Sequence, residues 1–280
     1  MKKPQLIVVA VAALLVAGIF MYGKTLPKKK PVIASTAPHS HSGITIDSFL
    51  VSAKRNLSPE QVVRINTLEN SISRGNVKDQ QIHVYHQLAS FWSDTANVFE
   101  PYAWYEAEAA RLVNSEKSLT FAAHLFLDNL QNDPVAERKE WKALQAKDLF
   151  ERSLKINPDN DSSKVGLGAC YMFGGISETP MQGILKVREV AEKDSTNIYA
   201  QMMLAQGSLM SGQYDKAIGR LQTVTRLQPD NVDAVFMLAD LYERTGDKQN
   251  AITWYRKCLQ LIKHPEAIKD ITKRIEELSK

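Results

Sequence analysis

The sequence predicts an all-α protein, a solenoid of stacked helical hairpins preceded by one membrane-spanning helix. Three observations point there. The segment IYAQMMLA at 198–205 returns as VDAVFMLA at 232–239, and Leu204, Ala205, Gly212, Ala217 and Leu221 return as Leu238, Ala239, Gly246, Ala251 and Tyr255, each 34 residues later. Elsewhere apolar residues recur at helical spacing, and no stretch alternates as a half-buried strand would. Residues 5–22, QLIVVAVAALLVAGIFMY, contain no charged side chain.

The repeat has a packing logic. Ala205 facing Ala217, and Ala239 facing Ala251, let two antiparallel helices approach closely. Gly212 and Gly246 end the first helix of each pair, where a residue without Cβ turns the chain most readily. Pro229 stops the second helix and Asn231 caps the next. A period of 34 with small residues at these places resembles the tetratricopeptide repeat, which implies a right-handed α-solenoid. The order of features, with EPYAWYEAEAARL at 100–112 and LFERSLKINPDNDSSKVGLGACYMFGG at 149–175, further resembles membrane-anchored tetratricopeptide proteins of Bacteroidota bacteria. The repeats are also broadly similar to those of periplasmic proteins in cytochrome c assembly and of translocon-associated, chaperone-like subunits. A repeat fold alone leaves function open.

Taken in order, residues 1–24 read as an anchor. The apolar run lies at the low end of the length needed to cross a bilayer core of ~30 Å. Bulky Phe20, Met21 and Tyr22 followed by Lys24 do not make a signal-peptidase site, and no cysteine ends the run as in a lipoprotein signal. The expectation is a single-pass inner-membrane protein with its body on the periplasmic, extracytoplasmic side. Residues 25–43 read as a disordered linker rich in Pro, Lys, Ser and His. Residues 44–160 read as atypical hairpins: Asp47 as a cap, a capping box at Ser58–Gln61 with Pro59 first in the helix and a stop at Gly75, then Gln81–Phe91 with Pro101–Val113, and Leu119–Leu130 with Ala136–Ile156. Three repeats follow at 161–197, 198–231 and 232–265, and residues 266–280 form a terminal capping helix.

Composition narrows the function. Of 35 basic residues, six precede residue 31, where there is no acid; the remainder carries 29 basic against 31 acidic side chains. So balanced a body argues against nucleic-acid binding. No phosphate loop, zinc-protease motif, nucleophile elbow or Cys-x-x-Cys pair occurs, so the chain reads as no enzyme, with no cofactor, metal or small-molecule substrate. Cys170 and Cys258 fall in repeats that are not adjacent and read as unbridged, Cys258 as a small buried hydrophobe. The aromatic group Tyr85, Phe91, Trp92, Phe99, Tyr102, Trp104 and Tyr105 reads as the core of an irregular first hairpin.

What remains is a surface for a protein or peptide. In this repeat type the inner positions of the first helices line a groove, which here means Val165, Met172, Phe173, Tyr199, Met202, Gln206, Leu209, Met210, Phe236, Asp240, Glu243 and Arg244. The clamp of Lys and Asn that grips chaperone tails is absent; a methionine-rich trough stands in its place. A slip of one residue would turn several of these positions into core, and both alternatives stand. The leading reading is a membrane-anchored scaffold binding one partner. Alternatives are a chaperone-like accessory factor in secretion or cytochrome c assembly, and a metal-handling protein using His39, His41, His83, His86 and His124.

Overall fold

The computed structural model describes residues 43–74, 77–176 and 180–280. The spanning helix expected at 5–22, and the linker up to residue 42, lie outside the described residues. Among those described, no helix is long and apolar enough to cross a membrane. They form thirteen α-helices and no strand: α1 Ile46–Lys54, α2 Pro59–Arg74, α3 Lys78–Ser90, α4 Phe99–Val113, α5 Glu116–Leu130, α6 Ala136–Ile156, α7 Asp161–Phe173, α8 Met181–Lys193, α9 Ile198–Met210, α10 Tyr214–Leu227, α11 Val232–Arg244, α12 Lys248–Leu261 and α13 Pro265–Leu278. A π-helical turn, Phe91–Thr95, extends α3.

Helix starts follow local chemistry. Ser58 and Gln61 close a reciprocal capping box, the Ser58 N–H donating to Gln61 Oε1 at 2.8 Å and the Gln61 N–H to Ser58 Oγ at 3.3 Å. Asn160, Asn197 and Asn231 each cap a first helix by accepting from the N–H three residues on, at 2.8, 2.9 and 3.0 Å. Asp47, expected as a cap, instead lies inside α1 behind Thr45. Helices α3, α4 and α5 begin upstream of their expected starts, because each opens on a polar or proline-containing turn before its first buried apolar residue.

Five antiparallel hairpins result, α3–α4, α5–α6, α7–α8, α9–α10 and α11–α12, with α13 packed on α12. The small-residue notches hold them together: Ala205, Ala217, Ala239 and Ala251 are fully buried. In α7–α8 the notch is two glycines; a Cβ on Gly168 would fall on Val187 and the Gly183 carbonyl. Gly212 and Gly246 adopt φ of +71° and +81° and turn the chain after α9 and α11. First helices α5, α7 and α9 also touch one another, whereas second helices make no comparable contact with each other. Over α5, α7 and α9 the stack is therefore closer on the side of the first helices.

The upstream hairpins are packed by rings. Phe91, Trp92 and Tyr105 are buried, and Trp141, from the long helix α6, meets Phe49 at 4.8 Å, Phe126 at 5.6 Å and Trp104 at 6.4 Å. Beside them lies a buried ion-pair network. Lys142 Nζ reaches Asp133 at 2.6 Å, Glu100 at 3.0 Å and Asn129 at 2.6 Å, and Arg138 holds the other side of Asp133. Burial opposes ionisation of Asp133, but hydrogen bonds from Arg138, Lys142 and the Val135 N–H outweigh it and hold the carboxyl well below the usual carboxylate range.

Candidate partner-binding groove

The inner positions of successive first helices open from one hairpin to the next. Val165 in α7 is fully buried, Met202 in α9 is half-buried, and Phe236 in α11 is 43% exposed. Two turns further on, Met172 is buried, Leu209 half-buried and Glu243 half-buried. Lateral contact differs along the series: α7 packs against both α5 and α9, whereas α9 and α11 meet through side chains of one cluster shared with α10. Val165 and Met172, expected to line the groove, are therefore core. The Met172 methyl rests on Gly207, where a Cβ would displace it. Phe173 is partly buried against the same cluster.

Downstream the surface is accessible. Met210 is 69% exposed and, with Phe236, presents apolar area to solvent. Met202 bridges two clusters, packing against the upstream core and against that of α9–α11, so only its rim is available. The charged residues at the far end are already partnered. Asp240 pairs with Arg244 at 2.6 Å, and Glu243 accepts from Arg274 at 2.7 Å and from the Tyr255 hydroxyl at 2.9 Å. Gln206 lies half-buried between these ends.

Tyr199 marks the upstream limit. Its ring lies 5.5 Å from that of His124, and its hydroxyl is buried with no hydrogen-bond partner, so burial drives the phenol far above its usual range. His124 is hydrogen-bonded to Ser162 at 3.0 Å; burial depresses its imidazole, against the pull of Asp128. Next to it Phe121 is 58% exposed in a shallow depression with Ser115, Thr120 and Asn160. The sequence reading missed Phe121, although its phase against buried Leu119, Ala122, Ala123 and Phe126 places it outward.

No reactive constellation accompanies this surface. Among the described residues no group of three or more His, Cys, Asp or Glu side chains could hold a metal. His83 is exposed, His86 pairs with Glu106 at 3.2 Å, and His124 is committed to Ser162, so the conceivable three-histidine site is not assembled. Cys170 and Cys258 are both free and buried, and burial pushes both thiols up.

Comparison with known proteins agrees with this architecture. Residues 202–266 match the tetratricopeptide repeat family. The chain is 28% identical over 144 residues to lipopolysaccharide assembly protein B of Haemophilus influenzae, covering 50% of this chain and 35% of that protein. It is 28% identical over 125 residues to the putative cytochrome c-type biogenesis protein CcmH of the same organism, covering 41% of this chain and 27% of that protein. The chain thus spans about a third of the length of the curated relatives it matches. A solved tetratricopeptide repeat protein from Parabacteroides merdae superposes with a TM-score of 0.53 at 14% identity, covering 84% of each chain, which is a likeness of fold.

Proposed function

We propose, from the premise that this is a tetratricopeptide-repeat protein with repeats across residues 202–266, that it is a membrane-anchored scaffold holding a protein or peptide against the inner side of its last two hairpins. The observation that carries this reading is apolar surface left exposed on two successive first helices, Met210 at 69% and Phe236 at 43%. Tyr199, Met202, Gln206 and Leu209 supply the floor; Asp240, Glu243 and Arg244, already paired, supply a polar rim. Methionine suits such a surface because its flexible, polarizable side chain adapts to apolar contacts. Tethering by residues 5–22 would confine the partner near the bilayer and raise its effective concentration without catalysis.

A second reading, an accessory factor in assembly, is favoured by the names of two relatives, one a lipopolysaccharide assembly protein and the other a cytochrome c-type biogenesis protein. Affinity capture with the full chain in detergent, against the Met210→Glu, Phe236→Glu double variant, tests both. One defined protein, lost with the double variant while melting is unchanged, is the expected result for the scaffold. Many unfolded chains would favour the accessory factor. Capture indifferent to the two substitutions would place the binding surface elsewhere.

A further inference from the structure

The outer helices of the last three hairpins carry an unbalanced charge. Helices α8, α10 and α12 hold nine basic side chains against the three acids Glu189, Glu192 and Asp215, whereas inner helices α7, α9 and α11 hold two basic against four acidic. Apart from Lys193, which reaches Asp161, none of the nine has a carboxylate within ion-pairing distance among the described residues. On α6, by contrast, four of the six basic side chains, Arg138, Lys142, Lys147 and Arg152, are paired. The near-neutral composition of the body hides this separation.

Local geometry gives the band a focus. Helices α8 and α10 both pack on α9. Arg220 on α10 reaches α9, donating from Nη1 to Gln201 Oε1 at 2.8 Å; buried Gln201 is itself fixed by donating to the Ser195 carbonyl at 2.9 Å. The half-buried guanidinium is thus held in place without a counter-ion. Burial, and then the charge of Arg188 on α8, depress its basicity. One turn and two turns before Arg188 stand Leu185 and Met181, 53% and 55% exposed. Fixed cations interleaved with protruding aliphatic side chains are what an anionic lipid interface takes up.

We infer that this outer face docks on an anionic lipid surface, with Lys186, Arg188, Lys216, Arg220 and Arg256 meeting headgroup phosphates while Met181 and Leu185 enter the interface. The body would then lie on its outer side and turn the inner groove away from the bilayer. This surface is separate from the groove and stands whether or not the groove binds a partner.

The test uses the full chain with a fluorophore on Gly219→Cys, a site on α10 with open space around it; the two native thiols are buried. Quenching by spin-labelled headgroups is measured in vesicles of phosphatidylcholine alone and of phosphatidylcholine with phosphatidylglycerol, so that a tether acting through residues 5–22 contributes equally to both. Several-fold stronger quenching in the anionic vesicles, lost in high salt and in the Arg188→Glu, Arg256→Glu variant, is expected. Both arginines are exposed, so the variant should melt as the parent does. Equal quenching in the two vesicle types overturns the inference, as does quenching that survives charge reversal. The Met210→Glu, Phe236→Glu variant should keep its lipid dependence, which separates failure of this surface from failure of the groove.

Discussion

The upstream hairpins α3–α6 and the downstream hairpins α9–α12 are built from the same unit and held by opposite means. Upstream, rings fill the interior, a lysine is buried among two carboxylates, and Arg111 bonds Glu108, Gln145 and Asp148. Downstream, alanine notches and asparagine caps hold the pairs, and charged side chains point outward largely unpaired. The difference teaches that repetition fixes backbone spacing, while the departures from it decide which surfaces are spent on cohesion and which stay available.

The sharpest way to break this contrast is Lys142→Ala. It takes away the cation that Glu100 pairs with and leaves buried Asp133 to Arg138 alone, and a loss of ~3 kcal/mol is expected in denaturant titration. Arg226→Ala, on an exposed and unpaired cation, should stay within about 0.5 kcal/mol. Equal effects would erase the distinction. Next in size is Ala217→Leu, which overpacks a fully buried notch at a cost of ~1–3 kcal/mol while leaving the ion-pair network untouched.

Acid should separate the two regions by the same logic. Asp133 has a carboxyl held below its ordinary value, so its contribution is present above the unfolded pKa of about 3.9 and fades as pH falls toward the depressed folded one. Hydrogen exchange below that pH should therefore show α5 and α6 losing protection before α9 and α10. The reverse order would mean that the network contributes little. Smallest is Gly212→Ala, about 1–2 kcal/mol from forcing a side chain into the left-handed region, read as a lowered melting temperature without lost helicity.

The legible part of this molecule was the local part. Caps at Ser58 and Asn231, turns at Gly212 and Gly246, and notches at Ala205 and Ala217 depend on neighbours a few residues away or on an exact repeat, and they stood as read. Inner positions were read unevenly because their exposure depends on whether another first helix comes alongside. Val165, Met202 and Phe236 hold equivalent places in sequence and differ in burial, Val165 lying on a first helix packed between two others. Lys142 gave no local sign of burial either: it sits in a charge-rich helix, and its partner Glu100 belongs to a different hairpin. The outer band escaped notice because net charge averages over faces that face different ways.

Helix α13 carries one last consequence. It covers α12 with Ile271, Ile275 and Leu278 and is pinned by Arg274 on Glu243, while its remaining side chains are mostly charged. A ribbon assembled by repetition has no intrinsic length, and any naked end invites another molecule to continue it. With a single polar-backed rod laid over α12, that flank offers no apolar face for another ribbon to join head to tail.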